Sequence, residues 1–278
     1  MNVPITATTR LAAVIGSPVR HSLSPALHNA VFEASGLDWR FLAFEVAPGN
    51  GARAVEAMQT LGIGGYAVTM PHKADVAAAV DEIDPASAAL GSVNTVALRP
   101  DGSTFGASTD GAGFVESVRN VGFELPGARI VVLGAGGAAR AIVDALGRAG
   151  VDDIAIVNRT RSSAESAAEL ADVARVGELS DLARAGLLVN ATSIGMGSDD
   201  SPLEVGLLRS DLAVADIVYH PLDTLLLRSA AAIGGLTIDG LGMLVHQAVL
   251  QQELWTGQRP DAAVMRAAAE AELAARSR

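Results

Sequence analysis

Short apolar runs recur along the chain, and stretches with helical spacing of apolar residues separate them. In the first half, the apolar runs predict strands at residues 11–15, 41–46, 65–70 and 92–98. Helices are predicted at residues 26–35, 53–61, 72–81 and 111–121. Strands that alternate with helices are typical of βαβ units, so the pattern predicts an α/β fold with mainly parallel sheets.

The apolar run at residues 129–133 breaks into Gly134-x-Gly136-x-x-Ala139 and then into an Ala-rich helical stretch. Glycines are needed where a strand turns sharply into a helix and where backbone N–H groups approach a pyrophosphate. The strand, the turn and the helix together therefore predict a dinucleotide-binding Rossmann domain.

The segment after the next predicted strand indicates which dinucleotide is bound. Such a strand usually ends in Asp or Glu, about 20 residues after the glycines, which accepts a hydrogen bond from the ribose 2′-OH. Here the strand is followed by Asn158, Arg159, Thr160 and Arg161. No carboxylate is present to repel a 2′-phosphate, and a guanidinium can bind it through two hydrogen bonds. The sequence therefore predicts NADP as the cofactor.

The β/α alternation continues to about residue 236, and the tail from residue 242 onward is helical. We therefore predict two domains. Residues 106–241 form the Rossmann NADP-binding domain, and residues 1–105 form an N-terminal, mainly parallel α/β substrate domain, completed by the C-terminal helices in residues 242–278. A ligand is expected in a cleft between them, beyond the carboxyl ends of the strands.

Composition argues against several classes of protein. No apolar stretch is long enough to span a bilayer, and the start of the chain lacks the basic-then-apolar order of a signal peptide. The absence of cysteine excludes disulfides and thiolate sites, and a net charge of −11 argues against nucleic acid as a partner. We therefore expect a cytoplasmic protein with a small-molecule substrate, and the sequence leaves open whether it forms a homodimer.

Polar residues lie where the predicted strands end, which is where an α/β protein builds its site. Ser22 and Ser24 lie at a loop-to-helix junction that suits a carboxylate, although a turn former and an N-cap would have the same pattern. Thr69 and Lys73 flank a proline at a strand end, and Asn94 lies within the next predicted strand. Each residue alone also fits a surface or loop role.

Lys73 and Asp110 together suggest hydride-transfer chemistry. Asp110 is predicted at the start of a helix, on the boundary between the two domains. Hydride transfer from an alcohol to NADP⁺ requires a group that accepts the hydroxyl proton. A lysine can do this if its proton affinity is lowered or its proton is shared with a carboxylate. No metal site is expected, because the five histidines are scattered without a His-x-x-x-His pair.

Eight motifs of the chain, in this order, resemble those of shikimate dehydrogenases. The resemblance spans about residues 11–257, and its segments are 14–18 with 22–25, 68–73, 91–95, 109–111, 134–138, 158–160, 190–196 and 240–247. It implies reversible, NADP-dependent reduction of 3-dehydroshikimate to shikimate, a step of the shikimate pathway toward chorismate and the aromatic amino acids. The chain departs from the usual family pattern at Ser108, Ser163 and His220.

The resemblance also implies roles for individual residues. Ser22 and Ser24 would hold the substrate carboxylate, and Tyr219 would close the pocket near it. The ring hydroxyls would bind to Thr69, Asn94, Asp110 and Gln247, while Lys73 and Asp110 would handle the proton. The cofactor residues would be Gly134, Ala135, Gly136, Gly137 and Ala138 at the pyrophosphate, Asn158, Arg159, Thr160 and Arg161 at the 2′-phosphate, and Ile217 and Gly240 near the nicotinamide.

Three other functions fit much of the same pattern. Quinate dehydrogenases often use NAD with an acidic residue where this chain has Asn158 and Arg159, and they often replace one of the two serines, Ser22 and Ser24. An aminoshikimate or aminoquinate dehydrogenase would keep almost every motif. A non-catalytic NADP-binding sensor would have no need of the pair of Lys73 and Asp110, so their presence favours an enzyme.

Overall fold

A computed structural model describes residues 4–276 of the 278-residue chain. The chain divides into two compact units. The first consists of Met1–Thr109 together with Gln247–Arg278, and the second is Asp110–His246. Residues 1–3 and 277–278, which belong to the predicted ranges 1–105 and 242–278, lie outside the described residues.

The first unit is built on a six-stranded mixed sheet. Its strands are β1 (Arg10–Gly16), β2 (Trp39–Glu45), β3 (Gly65–Val68), β4 (Glu82–Ile83), β5 (Thr95–Leu98) and β6 (Thr104–Ala107). They lie in the order β2-β1-β3-β5-β6-β4, and β5 runs antiparallel to both of its neighbours while the other pairings are parallel. The short connection at residues 99–103 explains why β5 and β6 are antiparallel, because a connection this short does not join parallel strands.

Helices from both ends of the chain cover the first sheet. They are α1 (Ser24–Ala34), α2 (Gly51–Thr60), α3 (Lys73–Ala77), α4 (Pro85–Leu90) and, after the second unit, α9 (Gly240–Thr256) and α10 (Ala262–Arg276). The boundary between the units falls inside α9, and α10 packs against α1. The prediction that the C-terminal helices return to the first unit is confirmed.

The second unit is built on six parallel strands. They are β7 (Arg129–Leu133), β8 (Asp153–Val157), β9 (Ala174–Val176), β10 (Leu187–Asn190), β11 (Ala213–Asp216) and β12 (Thr237–Ile238). Their order, β12-β11-β10-β7-β8-β9, is that of a Rossmann fold. The helices are α5 (Asp110–Asn120), α6 (Gly137–Arg148), α7 (Arg161–Ala168) and α8 (Leu225–Ala232), with 3₁₀ turns at Leu179–Arg184 and Val205–Leu207.

The Rossmann strands are continuous apolar runs because both faces of their sheet are covered. On one face, Ile130 and Val132 of β7 pack with Ile142 of α6. On the other face, Val131 and Leu133 of the same strand belong to a second cluster with residues of α8. Burial on both faces is typical of parallel sheets, and it explains why β7 lacks polar alternation.

The structure corrects several predicted boundaries. The helix predicted at residues 72–81 ends at Ala77, and Asn94 lies just before β5 and not inside it. Ser24 is the first residue of α1, whose N-cap is Leu23. The short elements β4, α4 and β6 were not predicted, because none carries a clear apolar period. None of the helices in residues 4–276 is both long enough and apolar enough to cross a membrane.

Candidate functional site

The first group of candidate residues lies where β1 and β3, neighbours in the first sheet, reach their carboxyl ends. The N–H of Thr69, just after β3, donates to the carbonyl of Ile15 at 2.9 Å. A Cβ on Gly16 would lie 2.3 Å from Thr69 Cγ2. Only glycine therefore lets the end of β1 approach Thr69 this closely, and this packing fixes Thr69 at the edge of the sheet.

Ser22 and Ser24 lie in the turn that leads into α1. The N–H of Ser24 donates to Ser22 Oγ at 3.2 Å, so the structure brings the two serines together. Neither is the helix N-cap, so the simple capping interpretation of Ser24 is wrong. Arg276, at the end of α10, donates to the carbonyl of His21 at 2.6 Å and to that of Ser22 at 3.2 Å. The serine turn is therefore held by the C-terminal helix.

Asn94 and Gln247 are also brought together, in a buried cluster of amides. Asn94 Nδ2 donates to Gln247 Oε1 at 3.3 Å, and Gln251 Nε2 donates to the same oxygen at 2.7 Å. Asn94 Oδ1 accepts from the N–H of Thr109 at 2.8 Å, and Thr109 Oγ1 donates to the carbonyl of Gln247 at 3.1 Å. Because Asp110 follows Thr109 directly, this cluster also fixes the residue that precedes the candidate carboxylate.

Lys73 is the first residue of α3 and the only lysine of the chain. Its carbonyl accepts from the N–H of Val93 at 3.1 Å, which ties the start of α3 to the segment before Asn94. The preceding residue, His72, is buried, and its Nε2 donates to the carbonyl of Val46 at 2.7 Å. The backbone that carries the Lys73 side chain is therefore held on two sides.

Helix α9 is anchored to the first sheet by buried side chains. Trp255 Nε1 donates to Thr95 Oγ1 at 3.0 Å. His28 of α1 is fully buried, stacks on Phe41 with ring centroids 4.4 Å apart, and lies with its Nδ1 3.1 Å from Gln252 Oε1. Burial lowers the pKa of His28 to about 4, so the ring is neutral. These contacts fix the helix that carries Gln247.

In the second unit, the glycine turn between β7 and α6 has the geometry that an anion site requires. Gly134 has φ +105°, and a Cβ there would lie 2.9 Å from the carbonyl oxygen of Ala191. At Gly136 and Gly137, by contrast, a Cβ would meet nothing within 4 Å. These two residues therefore leave open space in front of the first N–H groups of α6, where the helix dipole favours an anion. The turn fits the pyrophosphate of a dinucleotide.

The end of β8 carries the residues predicted at the 2′-phosphate. Asn158 Nδ2 donates to the carbonyl of Thr160 at 2.9 Å, which shapes the turn before α7. Arg161 is exposed and pairs with Glu165 at 2.9 Å. Arg159 is exposed and makes no ion pair within residues 4–276. Arg159 is therefore the guanidinium that is available to a phosphate.

Ile217 and Gly240 lie in contact on the same side of the second unit. A Cβ on Gly240 would lie 2.6 Å from the carbonyl oxygen of Ile217 and 2.4 Å from that of Val218. Tyr219 follows on the same loop and is half-buried.

Asp110 begins α5, where Gly111 packs so tightly that a Cβ would lie 2.1 Å from the carbonyl oxygen of Ala141.

The sequence did not identify several residues that hold the candidate residues in place. Thr109 and Gln251 complete the amide cluster, His28 anchors α9, and Asp216 is buried at the end of β11. A lone carboxylate inside the apolar segment 212–218 was the available signal for Asp216, because a buried charge requires specific partners.

Three family models match the chain. They are described as "Shikimate dehydrogenase substrate binding domain" over residues 14–96, "Shikimate / quinate 5-dehydrogenase" over residues 116–194 and "Shikimate 5'-dehydrogenase C-terminal domain" over residues 240–270. The three matches follow one another along most of the chain.

Individual relatives agree with the family models. Shikimate dehydrogenase (NADP⁺) of Thermococcus kodakarensis is 44% identical over 267 residues, which cover 95% of this chain and 97% of the relative. The crystal structure of shikimate 5-dehydrogenase from Thermus thermophilus in complex with NADP(H) and shikimate has a TM-score of 0.89 at 37% identity, and covers 94% of this chain and 99% of that one. The ligand-free 5-ketofructose reductase of a Gluconobacter strain has a TM-score of 0.88 at 35% identity, and covers 96% and 100%.

Proposed function

The chain belongs to the shikimate dehydrogenase family, and we propose that it catalyses the reversible, NADP-dependent reduction of 3-dehydroshikimate to shikimate. The observation that carries the proposal is the identity of its only lysine. Of the 20 lysine and arginine residues of the chain, only residue 73 is a lysine. Lysine can release its proton in a suitable environment, whereas arginine stays charged. The presence of a lysine at this position supports a role in proton transfer.

The residues present fit NADP. The open turn at Gly134–Ala138 would bind the pyrophosphate through backbone N–H groups. Arg159, with Asn158, Thr160 and Arg161 around it, would bind the 2′-phosphate, while Ile217 and Gly240 would lie near the nicotinamide. When bound, NADP supplies the hydride acceptor of the oxidation and the hydride donor of the reduction.

Most of the residues that would bind the substrate belong to the first unit. The hydroxyls of Ser22 and Ser24 would donate to the substrate carboxylate, and Tyr219 would lie near that carboxylate. Thr69, Asn94, Asp110 and Gln247 would bind the ring hydroxyls. The amide cluster supports this assignment, because Asn94 and Gln247 are held by Thr109 and Gln251 and present fixed donors and acceptors.

Lys73 and Asp110 would manage the proton. In the direction of oxidation, Lys73 Nζ accepts the proton of the reacting hydroxyl, and in the direction of reduction it returns that proton to the carbonyl oxygen. The Asp110 carboxylate stabilises the protonated ammonium between these steps. General acid–base catalysis of this kind contributes about 10²- to 10⁴-fold to a rate.

The test is a spectrophotometric assay of reduced nicotinamide, with shikimate, quinate or their aminated analogues as substrate and NADP⁺ or NAD⁺ as cofactor. We expect turnover of shikimate with NADP⁺. Turnover of quinate with NAD⁺ alone would contradict the proposal and favour the quinate activity named in one of the matching family descriptions. Turnover of an aminated substrate alone would assign the chain to an aminoshikimate or aminoquinate dehydrogenase.

Lys73→Arg separates proton transfer from charge, because it keeps the cation and removes an amine that can titrate. We expect this variant to lose turnover by about 10²-fold or more while it still binds NADP⁺ and shikimate in equilibrium measurements. Turnover close to that of the wild type would show that Lys73 acts through charge alone. A sensor without catalysis would bind both ligands and turn over neither, in the wild type as well as in the variant.

The pKa of Lys73 can be read directly, because the chain has no other lysine side chain. Reductive methylation with ¹³C-formaldehyde would place one side-chain label, at Lys73, beside the label on the α-amino group. The NMR titration of this label, compared with that of the Asp110→Asn variant, would show whether the carboxylate raises the proton affinity of the lysine. Identical titrations would exclude the proposed pair.

A further inference from the structure

A carboxylate lies buried at the end of β11. Asp216 is 2% exposed, and none of the ion pairs within residues 4–276 includes it. Burial raises the pKa of Asp216, and three hydrogen bonds to its carboxylate oppose the rise. An apolar residue at this position would avoid the cost of desolvating a carboxylate, so packing alone does not explain Asp216.

Its three donors come from three separate segments. Asn190 Nδ2, at the end of β10, donates to Asp216 Oδ1 at 2.9 Å. The N–H of Val218, in the loop after β11, donates to the same oxygen at 3.0 Å. Thr224 Oγ1, at the N-cap of α8, donates to Oδ2 at 2.8 Å. One carboxylate therefore joins the start and the end of the loop at residues 217–224 to the neighbouring strand.

Asn190 extends this network toward the glycine turn. Its Oδ1 accepts from Thr192 Oγ1 at 2.7 Å and from the N–H of Thr192 at 3.1 Å, and its Nδ2 also donates to the carbonyl of Ile194 at 3.1 Å. The intervening residue, Ala191, presents the carbonyl against which Gly134 packs. The amide of Asn190 thus orders the loop that borders the pyrophosphate turn.

The loop after β11 is confined from the opposite side as well. The backbone of Gly240 leaves no space for a Cβ against the carbonyls of Ile217 and Val218. Asp216 accepts from the N–H of Val218, and the carbonyls of Ile217 and Val218 lie against Gly240. The peptide that joins Ile217 to Val218 therefore has little freedom to rotate. This peptide belongs to the part of the second unit that we assign to the nicotinamide.

We propose that Asp216 is a positioning residue for the cofactor, one that holds residues 217–219 in the conformation that receives the nicotinamide end of NADP. The inference rests on the proposed function. Asp216 acts through the peptide N–H of Val218 and through Asn190, and it does not itself touch the reacting atoms.

Two substitutions separate hydrogen bonding from packing. Asp216→Leu has a similar size and removes every acceptor, whereas Asp216→Asn keeps an oxygen for Asn190 and Val218. The matched control is Asp211→Asn, just before the same strand. It changes an exposed carboxylate, which pairs with Arg209 at 3.0 Å. If Asp216→Leu does not fold, Asn190→Ser removes one donor and leaves the carboxylate in place, and it carries the same expectation.

The first readout needs no cofactor. Hydrogen exchange in the free protein should be faster at residues 217–219 of Asp216→Leu, with the strand amides of residues 213–215 unchanged as an internal reference. The second readout is the Kd for NADP⁺ by fluorescence titration, which should weaken about tenfold in Asp216→Leu, as expected for the loss of hydrogen bonds to a charged group. The KM for shikimate should change less than the Kd for NADP⁺, while Asp216→Asn and Asp211→Asn stay near the wild type.

A purely structural role would give a different result. It would lower the melting temperature and speed exchange throughout β11, with the Kd for NADP⁺ unchanged at temperatures where the protein is folded. That outcome would overturn the inference, and so would an Asp216→Asn protein as impaired as Asp216→Leu. A wild-type protein that neither binds NADP⁺ nor oxidises shikimate would instead refute the proposed function, and the exchange data would still show whether Asp216 orders the loop.

Discussion

His28 should make the stability of the first unit depend on pH. The side chain is fully buried between Phe41 and Trp255, with ring centroids 4.4 and 5.0 Å away. Burial lowers the pKa of His28 from 6.5 to about 4, and the amides of Gln252 and Gln251 offset only part of this shift. The folded state therefore resists protonation of a ring that the unfolded chain protonates readily.

The sign and size of the effect follow from these two pKa values. The unfolded chain takes up the proton near pH 6.5, whereas the folded chain does so only near pH 4. The contribution of the neutral ring is complete above pH 6.5 and is lost as the pH falls toward 4. The full loss is about 3 kcal/mol, of which about 2 kcal/mol falls between about pH 7.5 and about pH 5.

Urea unfolding followed by tryptophan fluorescence measures this loss. Both tryptophans of the chain, Trp39 and Trp255, are buried in the first unit, so their emission reports this unit. The variant His28→Phe keeps an aromatic ring and removes the titration, and His21→Gln, at an exposed histidine, is the control.

At neutral pH, His28→Phe should be less stable than the wild type, because the buried amide of Gln252 loses its partner. At about pH 5 the difference between the two proteins should shrink by about 2 kcal/mol, since only the wild type has a histidine at this position. The control should follow the wild type at both pH values. A difference between wild type and His28→Phe that stays constant with pH would show that His28 does not resist protonation in the folded state.

Three further predictions concern other parts of the molecule. Gly65→Ala would place a Cβ 2.2 Å from Trp255 Cδ1. It should therefore lower the free energy of unfolding of the first unit in urea by about 1–3 kcal/mol. Unchanged unfolding would show that the indole moves freely, and Gly186→Ala, where the nearest atom lies at 3.7 Å, is the control. Arg276→Ala should raise the KM for shikimate and leave the KM for NADP⁺ unchanged, because the Arg276 guanidinium donates to the carbonyls of the serine turn. Arg266→Ala is the control and should change neither KM, because the Arg266 guanidinium pairs with Glu270 on the same helix. Arg159→Ser should raise the KM for NADP⁺ about tenfold and leave the KM for NAD⁺ unchanged. Arg161→Ala should have a smaller effect, because the Arg161 guanidinium already pairs with Glu165. Equal changes in KM for both cofactors would contradict the role of Arg159.

The α/β fold and the Rossmann unit could be predicted because their cause is local in the sequence. The strands β7, β8 and β10 are apolar runs buried on both faces, and the turn at Gly134 requires a backbone conformation that glycine readily adopts. The pairing of β5 with β3 could not be predicted, because it joins segments that are distant in the chain.

The candidate site was predictable only in part, for a similar reason. Ser22 with Ser24, and Asn94 with Gln247, meet in the structure, but the sequence shows only the first pair as neighbours. The residues that hold these side chains are scattered, and each forms its hydrogen bonds with a distant partner. His28, for instance, meets Gln252 across 224 positions of the chain, and no periodicity marks such a contact.

The arrangement of the first unit has a consequence for the order in which the protein folds during synthesis. Residues 110–246 form one uninterrupted unit and can fold as soon as they leave the ribosome. The first sheet is made earlier but lacks α9 until residue 256 has been added, so the surface of Gly65 that Trp255 covers stays exposed in the meantime. The first sheet is therefore expected to complete its core last, although it is synthesised before the second unit. A chaperone that binds exposed apolar strands would act on this sheet during the interval.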